Sequence, residues 1–125
     1  MMKTKGMMEA EVSRALTQWE RDFLGRGSVD VKTDIVRNMI VVMLKGVLTP
    51  AEKLLAAEKD GMLSVKRNRS ELVETGAGQL YQLIGDLTGK QVVSFFTDIS
   101  TRSGERVMVF MLDGNLENEL MTKKA

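Results

Sequence analysis

The stretch "KTDIVRNMIVVMLKG", Lys32–Gly46, decides the fold, because alternating side chains break at a two-residue turn and give way to an apolar run. Val29, Val31, Thr33 and Ile35 fall on one side, and Asp30, Lys32 and Asp34 on the other. That period of two belongs to a strand with one buried face. Arg37 and Asn38 form a short turn into Met39–Lys45, a second strand containing β-branched residues. A two-residue hairpin loop then sets Ile35 opposite Ile40, Thr33 opposite Val42 and Val31 opposite Leu44.

A similar stretch returns as "FTDISTRSGERVMVFMLDG" from Phe96. Thr33-Asp34-Ile35 matches Thr97-Asp98-Ile99 at an offset of 64, which also carries Val29 to Val93, Val31 to Phe95 and Gly25 to Gly89. After the turn the offset is 68, carrying Leu44 to Leu112, Gly46 to Gly114 and Leu48 to Leu116. Four residues inserted around "STRSGE" absorb the change. The expected architecture is therefore α+β, a two-layer α/β sandwich of internally duplicated α-β-β units built on mainly antiparallel hairpins. It is expected as a single domain over 1–125, with pseudo-repeats at about 7–58 and 62–121.

Helical spacing precedes the first strand. Met8, Val12, Ala15, Leu16, Trp19 and Phe23 share a face, which predicts a helix from about Met7 to Leu24. The "GRG" at Gly25–Gly27 supplies a glycine for a left-handed C-cap. In "LTPAEK", Thr49 suits the N-cap, Pro50 the first helical position and Glu52 the third, a capping box. The helix it opens runs to about Glu58, with Gly61 as a break. "SVKRNRSE", Ser64–Glu71, is polar nearly all round, and Val73, Ala77, Leu80, Ile84 and Leu87 then restore a helical stripe. Gly76 and Gly78 weaken that helix, by about 1 kcal/mol each relative to alanine.

The alternation predicts two sheet faces of different fate. Val29, Val31, Ile35, Ile40, Val42 and Leu44, with Val93, Phe95, Ile99, Met108, Phe110 and Leu112, should lie under the helices. Met39, Val41, Met43, Phe96, Val107, Val109 and Met111 share the opposite face with Asp34 and Asp98. A soluble monomer rarely leaves so large an apolar patch open, so a homodimer covering this face is expected. The alternative cover is the chain's own termini or middle helices.

With 125 residues and 13.9 kDa the chain can bury a core without staples. It has no cysteine and no histidine, which removes disulfides, thiolate nucleophiles, Cys/His zinc sites and imidazole acid–base chemistry. The net charge of +1 advertises no polyanionic partner. The start "MMKTKGMMEAEVSR" puts Glu9 and Glu11 where a signal peptide needs an apolar core. No apolar run approaches the roughly 20 residues of a membrane span, so a cytoplasmic location is expected.

Chemistry-bearing residues are few. Asp34 and Asp98, each placed by the repeat beside Val41 or Val109, are candidate paired functional carboxylates for a cation, an interface or a general base. Partnered surface carboxylates are the plainer reading. Lys66, Arg67 and Arg69 are a candidate anion or partner contact, against the plainer reading of a solvated helix face. No aromatic interleaves with them as single-strand binding platforms require. "GRG" and "TGAG" match neither the phosphate-loop nor the dinucleotide fingerprint. No catalytic motif, cofactor or metal is expected, and the protein reads as a non-enzyme.

The strings "FLGRGSVDVKTDIV", "IVVMLKGVLTPAEKLLA" and "TDISTRSGERVMVFMLD" together resemble the MpsC family, over about Glu9 to Leu120. That family is named for a membrane-potential-generating, cation-translocating system linked to inorganic-carbon uptake. The resemblance implies a soluble accessory or regulatory protein that acts by protein–protein contact with integral membrane transport subunits. A nucleic-acid or other anion-binding module is the alternative.

Overall fold

The computed structural model describes residues 3–25, 28 and 30–121. Helix α1, Lys5–Trp19, starts at Thr4, whose hydroxyl accepts from the Met7 amide, and runs on into a π-helical turn at Glu20–Leu24. Gly25 closes that segment at φ 85°, and Gly89 closes a later helix at φ 73°. Both glycines take the left-handed backbone that leads from a helix into a strand, 64 positions apart as the numbering anticipates.

The hairpin of β1 (Asp30–Val36) and β2 (Met39–Lys45) has the expected register, with Ile35 opposite Ile40, Thr33 opposite Val42 and Val31 opposite Leu44. Arg37 opens its turn at φ 55°. Next come α2 (Pro50–Leu55), α3 (Lys59–Thr75) and α4 (Ala77–Thr88), then β3 (Val92–Ser100), β4 (Glu105–Leu112) and α5 (Leu116–Met121). The capping box opens α2 as read: the Glu52 amide donates to Thr49 Oγ1 and the Thr49 amide to Glu52 Oε1. The long stripe beyond Ser64 is two helices, parted at Gly76. An alanine Cβ at Gly76 would lie 2.5 Å from the Trp19 ring, so the glycine lets α1 approach the α3–α4 junction.

All four strands form one antiparallel sheet in the order β1-β2-β4-β3. The central pair sets Val41 opposite Val109, Ile40 opposite Phe110 and Val42 opposite Met108. One sheet face is the floor of the core: Ile35, Ile40, Val42, Leu44, Ile99, Met108, Phe110 and Leu112 are buried. Helices α1 and α4 supply the roof through Val12, Leu16, Trp19, Leu80 and Ile84.

Two expectations for the second hairpin are corrected. Val93 is exposed rather than under the helices, because a bulge between Val92 and Ser94 hands the position opposite Leu112 to Val92. Asp98 lies opposite Val107, and Phe96 takes the place opposite Val109. The second hairpin carries its pairing on to Ser100 and Glu105, so "TDI" sits two residues further along its ladder than in the first. A slip of two keeps the face, and Asp34 and Asp98 still point away from the core. Val29 and part of "GRG" lie outside the described residues.

Candidate interaction surface

The helices cover one face of the sheet and leave the second open. The register arranges it in rows across the strands: Val36, Met39, Met111 and Ser94; then Asp34, Val41, Val109 and Phe96; then Lys32, Met43, Val107 and Asp98. Apolar side chains fill the middle, and charges stand on the two edge strands. Phe96 is 60% exposed and Met43 37%, while Val41 and Val109 are partly buried. All seven residues of the expected apolar face share it.

Asp34 and Asp98 do not meet. They stand on opposite edge strands, three strand spacings or ~14 Å apart across the sheet. That separation removes a shared site within one chain. Asp98 accepts from the Ile99 amide and pairs with Lys66 Nζ at 3.5 Å. Among the described residues, no group of three or more acidic side chains is gathered closely enough to hold a metal ion.

The "KRNRS" residues divide as well. In α3, Val65, Arg69 and Val73 recur every fourth residue and turn inward. Arg69 is 9% exposed, and its guanidinium clamps Glu52 through Nε at 2.9 Å and Nη2 at 2.5 Å. Nη2 also donates to the Val47 carbonyl at 2.7 Å. Arg69 is therefore a bolt between α3, α2 and the loop after β2, not part of an exposed anion contact. Lys66 leans on Asp98, and Arg67 is exposed. Burial pushes the Glu52 carboxyl up, but the Arg69 and Thr49 hydrogen bonds outweigh it and hold the group below its ordinary value.

The sequence reading missed the charges inside the sandwich. Arg106 is 4% exposed; Nη1 donates to Thr97 Oγ1 at 2.7 Å, and buried Nη2 has no hydrogen-bond partner among the described residues. Desolvation, and then the nearby Arg69 charge, lower its pKa to about 10, so it stays cationic at neutral pH. Glu20, also buried, accepts from the Ser28 amide and hydroxyl and supports the Arg106 charge from a distance. One signal was available. Arg106 holds the inward phase of Met108, Phe110 and Leu112.

The family model described as "Na+-translocating membrane potential-generating system (MpsC)" matches residues 4–114, from the first helix through both hairpins. The chain belongs to the MpsC family. Uncharacterized protein YbcI of Bacillus subtilis (strain 168) is 58% identical over 120 residues, spanning 96% of this chain and 97% of that protein. Uncharacterized protein YrhF of the same strain is 26% identical over 110 residues, spanning 87% and 90%. No solved structure matches the chain. Among its described residues, no helix is long and apolar enough to cross a membrane.

Proposed function

We propose that this MpsC-family chain is a non-enzymatic, cytoplasmic accessory or regulatory protein of a membrane cation or inorganic-carbon transport system, acting by protein–protein contact. The observation that carries the reading is family membership over nearly the whole chain. The open apolar sheet face agrees with it, because such a face is built for contact with another protein. The described charges agree too: Arg69 and Glu52 are spent on each other, and Lys66 is spent on Asp98. That use of Arg69 and Lys66 weakens the nucleic-acid alternative.

Two finer statements belong to this reading. The chain is a duplicated α-β-β unit: Val41 and Val109, equivalent at the offset of 68, face each other in the ladder, as a pseudo-two-fold axis through that pair requires. The open face holds a homodimer, while polar loops and helices remain for the transport subunits. The test is capture of the tagged protein from its native cells after nuclease treatment and detergent extraction. Specific polytopic membrane proteins should come with it. Nucleic-acid-associated proteins, or only its own copies, would overturn the accessory reading.

A further inference from the structure

We infer that the second copy packs on the open face about a two-fold axis parallel to the strands, with Lys32 of each copy against Asp98 of the other. This inference rests on the dimer reading above and adds its geometry. The central pairing places Val41 and Val109 at the middle of the face. A face-to-face dimer centred there, with aligned sheets, has two simple axes, one along the strands and one across them.

The two axes differ in what the edge strands meet. An axis across the strands lays β1 on β1 and β3 on β3. It stacks Asp34 on its own copy and leaves Lys32 over Val36. An axis along the strands lays β1 on β3 and keeps each row in register. Lys32 then faces Asp98, Asp34 faces Phe96, and Met43 faces Val107. Stacked like charges are what a specific interface avoids, and opposite charges at the rim fix its register. Asp98 is 72% exposed even while it pairs with Lys66, so it has room for a second ammonium group. Three rows of four strands give a footprint of about 400 Å² per copy. That is below the size of stable specific interfaces and makes the dimer a weak, concentration-dependent one.

The chain has no cysteine, so introduced thiols are unique probes. Sedimentation equilibrium at tens of micromolar should first show a dimer. A mixture of K32C and D98C chains should then be joined by a short bifunctional thiol reagent. F96C chains should not, because their thiols lie ~14 Å apart laterally about the strand-parallel axis. K32D should weaken the dimer about tenfold, and K32D/D98K should restore most of the loss. Crosslinking of F96C chains, or no rescue by the double exchange, overturns the axis while leaving a dimer. A monomer at every concentration overturns the covered-face reading beneath it.

Discussion

Alanine at Gly76 and alanine at Gly78 should move stability in opposite directions, although the two glycines are two residues apart. At Gly76 the backbone is ordinary, with φ −91° and ψ 3°, so alanine carries no conformational penalty there. Its Cβ would stand 2.5 Å from Trp19 Cζ2 and 3.0 Å from Phe23 Cε2. The Trp19 ring has little freedom to retreat. It is 6% exposed, stacks on Phe23 with centroids 5.1 Å apart, and donates from Nε1 to Gln79 Oε1 at 3.1 Å. Overpacking of this kind costs about 1–3 kcal/mol. The reduced entropy of the unfolded chain returns about 0.4–1 kcal/mol. G76A should therefore lose about 1–2 kcal/mol, or roughly 3–8 °C in Tm.

At Gly78, inside α4, an added Cβ meets nothing within 4 Å. G78A should gain about 0.5–1 kcal/mol through helix propensity alone. Urea unfolding followed by the single tryptophan, Trp19, measures both variants directly. A G76A protein as stable as the parent, or both variants shifting the same way, would refute the close approach of α1 to the α3–α4 junction.

Removing the Thr49 cap as T49A should cost about 1 kcal/mol in urea unfolding. R69M, which removes the guanidinium from Glu52 and from the Val47 carbonyl and leaves Glu52 only the Thr49 amide, should cost about 2–3 kcal/mol. The double variant should fall short of the sum, since both changes act on Glu52; full additivity would argue against a shared network. Because the Glu52 pKa is depressed below 4.5 in the folded state, its contribution is complete above that pH and fades as pH falls through the folded value. The stability gap between the parent and E52Q should therefore shrink below about pH 4.5 in urea titrations, and a constant gap would refute the Arg69–Glu52 assignment. V109K/M111K should stay folded by circular dichroism but sediment as a monomer, whereas an intact dimer would move the interface elsewhere.

Much of the fold could be read directly, for local reasons. The first hairpin joins a strictly alternating β1 to an apolar β2 through a two-residue loop, and the loop sets one register. The N-cap of α2 was equally plain, because Thr49, Pro50 and Glu52 each occupy the one position where its chemistry helps. The place of β2 beside β4 had no local signal, since strand order depends on contacts distant in sequence. The bulge at Val93 was hidden because valine suits either phase of a strand.

The candidate surface was legible to the same degree as its strands. Seven apolar residues were assigned to the open face by phase, and phase survives a slip of two. Partnering across strands does not survive it, so the repeat alone pairs Asp98 with Val109 where the ladder pairs it with Val107. Arg69 escaped because its type suggests solvent, whereas its spacing from Val65 and Val73 places it inside. Spacing was the better guide.

The turn of the first hairpin is held by the far end of the chain: the Arg37 amide donates to Glu117 Oε1, and the Glu117 amide donates back to the Arg37 carbonyl. Helix α1 likewise leans on α4 across the core. The two halves thus brace one another as well as themselves. Cutting the chain between α2 and α3 should give two fragments that stay unfolded alone and reconstitute the sheet when mixed. Halves that look alike in element order would then prove complementary rather than self-sufficient.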